Sequence, residues 1–195
     1  MWPWDHLALG YVAYSLLRRA TGRAPPSALA VGFVVVGSQL ADLIDKPLGW
    51  VLHVLPSGAS MAHSLLFAVP VCLLVVAWRA RRGAPDQGLA FAVAYLLHLP
   101  ADAYYPVVLG GQAKPYIVFW PVVPGHHSSP ADASAYLLSL IGDFAGALTG
   151  PGGVYLAALE LAFVGSAVLL WYLDGLPGVP VDRGRRRRGR TQWDP

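Results

Sequence analysis

Long apolar segments constrain the fold of this chain more than any other feature of its sequence. Five of them cover residues 6–17, 28–44, 62–78, 89–105 and 154–173. The chain is 55% hydrophobic and only 13% charged, whereas an average soluble domain is about 25% charged. A membrane-spanning helix needs roughly 17–25 mostly apolar residues. The pattern therefore predicts an all-α, polytopic membrane helix bundle with about five transmembrane helices.

A sixth segment, residues 135–148, is moderately apolar but contains Asp143 and two glycines. We expect it to form an interfacial or re-entrant helix. The predicted domain organisation is one membrane-embedded domain over residues 1–175, followed by an Arg-rich and disordered cytoplasmic tail over residues 176–195.

The basic residues predict the orientation of the bundle. Twelve of the fourteen Lys and Arg residues follow the first, third and fifth apolar segments, and only Lys46 and Lys114 lie in the other loops. Positively charged loops stay in the cytoplasm. We therefore expect a multi-pass protein of the cell membrane with its N-terminus outside and its C-terminus in the cytoplasm. The tail is expected to bind anionic lipid headgroups rather than nucleic acid.

The fourth apolar segment carries an imidazole and a carboxylate, His98 and Asp102. Residues four apart lie on one face of a helix. Ionisable groups inside a membrane segment cost several kcal/mol, roughly 2.5–3.5 for Asp at mid-bilayer, and usually serve a function. The pair is a candidate half of a metal site, with a hydrogen-bonded pair between helices as the alternative.

The predicted orientation places further ionisable residues in the same outer layer. The proposed metal ligands are His6, Asp42, His63, His98 and Asp102, and Asp45 is proposed as a general base or as a ligand of a second metal. Imidazole and carboxylate together suit a divalent ion, for which we expect Zn, with Mn or Mg as alternatives. Such an ion would activate water against an ester or phosphoester, including a lipid, at headgroup depth.

Two other functions use the same side chains. A non-catalytic membrane protein could hold a structural metal or a polar core there, and a transporter could use the groups as an ion or proton relay. The transporter reading is weaker because the inner halves of the helices are apolar and no inverted repeat is visible. His126 and His127, adjacent in a loop, could be solvated, contact substrate or bind a second metal.

Four short motifs, taken in order, resemble a known family. They are His6 with Gly10, Asp42-Leu43-Ile44-Asp45, Gly58 followed by His63-Ser64, and His98-x-x-x-Asp102. Together, over about residues 5–125, they resemble the YdjM/YbcI-like membrane-bound metal-dependent hydrolases. The ligand order is also similar to that of the all-α zinc phospholipase C and S1–P1 nuclease group, which implies phosphoester hydrolysis.

The chain departs from the family pattern at three points. Ala41 stands where the family often has Pro, Lys46 stands where it has His, and no Arg lies within residues 57–62. The loss of that His and that Arg affects either the anchoring of substrate or a second metal ion.

Overall fold

The computed structural model describes residues 1–123 and 129–180. Within these residues the chain is all-helical, as the sequence predicts. Its six α-helices are α1 (Pro3–Ala20), α2 (Ala28–Lys46), α3 (Leu65–Arg81), α4 (Pro85–Val108), α5 (Ala133–Thr149) and α6 (Gly153–Leu173). A π-helical turn, Pro47–Val51, extends α2, and a 3-10 turn, Pro115–Phe119, follows α4.

The helix starts follow local hydrogen bonding. Ser27 caps α2 by accepting a bond from the amide of Ala30, and Ser64 caps α3 by accepting one from Leu66. The third helix therefore begins at Leu65, three residues later than the apolar segment predicts. Ser64 has the extended backbone of an N-cap residue, and the amides of residues 62 and 63 before it donate to the Asp45 carboxylate.

Helix α4 lies at the centre of the bundle and packs against α1, α2 and α3. Small residues permit its close approach to its neighbours. A Cβ atom at Gly37 of α2 would lie 2.5 Å from the carbonyl oxygen of Phe91, and one at Gly10 of α1 would lie 3.0 Å from the Cβ of Ala94. Glycine and alanine at such crossings allow helix backbones to pack tightly in membrane proteins.

One end of the bundle carries Arg19 at the end of α1 and is called the basic end below, and polar contacts join three helices there. The Asp174 carboxylate after α6 accepts hydrogen bonds from Tyr11, Ser15 and Arg19 of α1. At the same end, the Tyr14 hydroxyl donates to the carbonyl oxygen of Asp86 at the start of α4. The last turn of α1, the last turn of α6 and the first turn of α4 therefore lie together, and the last turn of α2 lies at the opposite end.

Helix α5 has no buried residue and packs chiefly against α6. Its side chains also reach aromatic residues at the end opposite the basic one. Tyr136 meets Trp50 edge-on with 5.1 Å between ring centroids, and Phe144 lies 5.0 Å from Trp2. Since Trp2 precedes α1 and Trp50 follows α2, α5 contacts the bundle at that end.

Two helical segments, Ala28–Val51 and Gly153–Leu173, are long and apolar enough to cross a membrane by length and composition. The predicted count of five spans stays a prediction. Helix α4 contains Pro100 and continues through that residue.

Candidate metal centre

Two helices and one loop bring four of the predicted ligands together. Asp42 comes from the last turns of α2, His63 from the loop before α3, and His98 and Asp102 from successive turns of α4. Each offers a nitrogen or carboxylate oxygen, and these four atoms all lie within 4.8 Å of one another. The cluster, Asp42, His63, His98 and Asp102, is called the four-residue centre below.

Hydrogen bonds orient both imidazoles of the centre. The Nδ1 atom of His98 lies 2.8 Å from the carbonyl oxygen of Ser38, and the Nδ1 atom of His63 lies 2.8 Å from Oδ2 of Asp45. A carbonyl and a carboxylate can only accept, so the Nδ1 atoms carry the protons. In the neutral rings both Nε2 atoms therefore present lone pairs, the form in which imidazole binds a metal.

The two Nε2 atoms face each other and two carboxylates. They lie 3.2 Å apart, and Oδ2 of Asp102 is 3.2 Å from His63 Nε2 and 3.4 Å from His98 Nε2. Oδ1 of Asp42 lies 3.5 Å and 3.9 Å from the same nitrogens, and it is buried without a hydrogen-bond partner among the described residues. Four acceptor atoms thus converge where a cation would satisfy all of them, so the residues fit a divalent ion.

The electrostatics of His63 agree with this geometry. Burial alone would lower the pKa of its imidazole, but hydrogen bonds to Asp102, Asp42 and Asp45 raise the pKa well above the usual value near 6.5. The surrounding carboxylates therefore favour positive charge at this point. A proton on His63 or a divalent ion can supply that charge, and the two compete.

His6 lies beside the four-residue centre rather than within it. Its ring stacks on His98 with 3.7 Å between centroids, and its Nε2 atom is 3.0 Å from Oδ1 of Asp102. The amino nitrogen of Met1 lies 2.6 Å from the same oxygen. Asp102 thus presents Oδ2 to the centre and Oδ1 to His6. The predicted role of His6 as a ligand stays a prediction.

Asp45 lies behind His63 and is fully buried. Its carboxylate accepts bonds from the backbone amides of Ser60, Ala62 and His63 at 2.8, 2.9 and 3.1 Å, in addition to the His63 imidazole. These are the contacts of a residue that holds the loop and the ring in place. The role predicted for it, as base or second-metal ligand, stays a prediction.

Comparison of the sequence with protein-family profiles gives evidence independent of the geometry. The profile described as YdjM inner membrane protein matches residues 1–174.

The chain belongs to the YdjM inner membrane protein family.

This membership confirms the family resemblance read from the sequence and points to a membrane location. No curated protein and no solved structure matches this YdjM family member. The similarity to the zinc phospholipase C and S1–P1 nuclease group stays a prediction. His126, His127 and the arginines of the tail lie outside the described residues.

Sequence reasoning missed several contacts that shape the centre. One is the contact of the Ser38 backbone carbonyl with His98, and another is the hydrogen bond from the Tyr95 hydroxyl to the carbonyl oxygen of Ala62. No sequence motif indicates either contact. The ion pair of Lys46 was detectable. Lys46 Nζ contacts Oδ2 of Asp42 at 2.6 Å, and the two residues have the i,i+4 spacing that brings side chains together on a helix.

Proposed function

We propose that this YdjM family member is a membrane-bound, metal-dependent hydrolase that acts on an ester or phosphoester at the outer face of the membrane. The observation that carries the proposal is the four-residue centre. Its two Nε2 atoms and two carboxylate oxygens converge with their lone pairs facing one another.

The proposal includes a topology. Helices α1, α2, α3, α4 and α6 span the membrane, α5 lies in the interface, and the N-terminus is outside. The support is the separation of charge within the bundle, because Arg19 and Arg79 lie at the basic end while the four-residue centre lies toward the other end. Positive charge is retained in the cytoplasm, so the centre would face outward.

In this proposal Asp42, His63, His98 and Asp102 hold one divalent ion, with Zn favoured and Mn or Mg as alternatives. When bound, such an ion lowers the pKa of a coordinated water and polarises an ester or phosphoryl oxygen. The Ser38 carbonyl orients the His98 ring and Asp45 orients the His63 ring, while His6 lies against Oδ1 of Asp102. We assign Asp45 this orienting role in place of the general-base role expected from the sequence.

The exposure of the centre supports catalysis over a purely structural ion. The His63 and His98 side chains are fully buried, while those of Asp42 and Asp102 are 8% and 14% exposed. Lys46, which contacts Asp42, is 30% exposed. The exposed part of the centre therefore lies on its carboxylate side, where this proposal puts the open position that a catalytic metal needs.

An apolar groove next to the centre supports a lipid among the candidate substrates. It is lined by Met61, Ser64, Leu66, Phe67, Trp120 and Pro121. Met61 and Ser64 flank His63 closely in sequence, and the Ser64 hydroxyl, which donates to the carbonyl oxygen of Trp120, ties the two walls together. Leu66 of this groove is exposed, as are Val69 and Leu73, and their spacing places the three apolar side chains on one face of α3, a face suited to acyl chains.

The proposal is tested by hydrolysis assays on detergent-purified protein loaded with Zn²⁺ or Mn²⁺. The substrates are phospholipids in mixed micelles and a water-soluble chromogenic phosphodiester. We expect activity that is lost in His98→Ala and after chelation, and that returns when metal is added back to the wild type. A control variant, His53→Ala, changes an exposed loop histidine and is expected to retain activity.

Two results would count against the hydrolase. Activity that survives both chelation and His98→Ala would come from a contaminant or another site. Stoichiometric metal with no hydrolysis of either substrate class would favour the structural-metal alternative.

A further inference from the structure

Lys46 occupies a distinctive place beside the four-residue centre. It is the last residue of α2, one turn beyond Asp42, and its Nζ atom lies 2.6 Å from Oδ2 of Asp42. The ammonium also lies over the ring of Trp50, 5.5 Å from the centroid. At 30% exposure, its side chain is more exposed than those of Asp42 and Asp102, its neighbours at the opening.

Asp42 connects this ammonium to the centre. Its Oδ1 atom faces the imidazole nitrogens, at 3.5 Å from His63 Nε2, while its Oδ2 atom faces Lys46. One carboxylate therefore stands between the candidate metal position and a fixed positive charge. An anion bound at the carboxylate side of the centre would meet both.

The hydrogen-bonding capacity of Lys46 is only partly used. An ammonium has three donors, and within residues 1–123 and 129–180 its one hydrogen-bond acceptor is Asp42. A protein cation next to a metal position is a recurrent means of binding the oxygens of a phosphoryl group and of stabilising the charge that develops on them.

We propose that Lys46 is an anion-binding residue of the centre and makes it selective for negatively charged esters, phosphoesters above all. The inference rests on the proposed function and deepens it. Lys46 donates to a non-bridging oxygen of the bound ester while Asp42 keeps the ammonium in place. An uncharged ester gains nothing from this contact, so the residue separates the two substrate classes.

The test measures anion binding without requiring the natural substrate. Purified full-length protein is loaded with Co²⁺, and inorganic phosphate is titrated while the visible absorption of the metal is followed. Metal content is measured on the same samples. The variants are Lys46→Gln, which removes the charge, and Lys46→Arg, which keeps it. Lys114→Gln is the matched control, because Lys114 is the other lysine of the chain and its backbone amide bonds to Ala103 outside the centre.

We expect the wild type, Lys46→Arg and Lys114→Gln to bind phosphate with similar affinity. We expect Lys46→Gln to keep its metal and to bind phosphate at least about tenfold more weakly, a difference of about 1.4 kcal/mol.

Three outcomes would overturn the inference. They are unchanged phosphate affinity in Lys46→Gln, no phosphate binding by the metal-loaded wild type, and loss of metal in Lys46→Gln, which would make Lys46 only a support for Asp42. Failure of the wild type to bind any metal is a different result, since it contradicts the proposed function itself.

Discussion

Replacing Asp45 by Asn separates the orienting role of this residue from a direct catalytic one. Oδ1 accepts the amide of Ala62, whereas Oδ2 accepts the amides of Ser60 and His63 and contacts the His63 imidazole. The NH₂ group of Asn must replace one of these oxygens. At least one buried backbone donor then faces another donor.

The magnitude follows from that count. A buried N–H group without an acceptor costs about 1–3 kcal/mol, so we expect Asp45→Asn to lower the free energy of unfolding by at least that amount. Loss of the carboxylate behind the His63 ring should also weaken metal binding by about 10–100-fold, the usual effect of removing a hydrogen-bond partner from a ligating histidine.

The assay compares thermal unfolding by tryptophan fluorescence and metal affinity by competition with a chelating dye, both in detergent. Asp143→Asn is the control, since Asp143 is an exposed carboxylate on α5 and its loss should change neither quantity. A variant with wild-type stability and metal affinity but no activity would refute the orienting role and restore Asp45 as a general base.

Three further predictions concern packing, charge and pH. Gly37→Ala brings a Cβ within 2.5 Å of the Phe91 carbonyl oxygen and should lower the free energy of unfolding by about 1–3 kcal/mol. Gly32→Ala is the control, because a Cβ there meets nothing within 4 Å and should not destabilise the protein. Equilibrium unfolding measures both variants. Asp174→Ala leaves the Tyr11 and Ser15 hydroxyls without their acceptor and should lower the free energy of unfolding by about 1–3 kcal/mol for each, measured the same way. An unchanged free energy of unfolding would contradict a stabilising role for these contacts between α1 and Asp174. Metal affinity should rise with pH from 6 to beyond 7, because the raised pKa of His63 lets a proton compete with the metal ion above the usual imidazole range. Metal affinity that does not change with pH in the dye-competition assay would contradict this prediction.

The helical fold was predictable because its signals are local. The six apolar segments located all six α-helices of the described residues. The start of α3 was misplaced because Ser64 takes the extended backbone of an N-cap residue, while the Asp45 carboxylate, distant in sequence, binds the amides of Ala62 and His63 in the loop before it. A local pattern contains no information about such a distant contact.

The centre was predictable in part for a related reason. The helical spacing of His98 and Asp102 and the charge-derived topology together indicated which ends of the helices meet. They could not distinguish the side chains that converge from those behind them. Asp42 and Asp45 are three residues apart, yet in the described part of the chain Oδ1 of Asp42 faces the imidazoles without a hydrogen-bond partner, whereas Asp45 accepts bonds from backbone amides. That difference depends on the path of the loop before His63.

The proposed function depends on the binding of a metal ion by the four-residue centre. Elemental mass spectrometry of detergent-purified protein tests it most directly, with the wild type beside His98→Ala/Asp102→Ala and with His53→Ala as the control. We predict near-stoichiometric divalent metal in the wild type and in His53→Ala, and its loss in the double variant while the protein remains monodisperse. Absence of metal from the wild type, even after incubation with Zn²⁺ or Mn²⁺, would contradict the proposed function. The four residues would then form a buried polar network rather than a metal site.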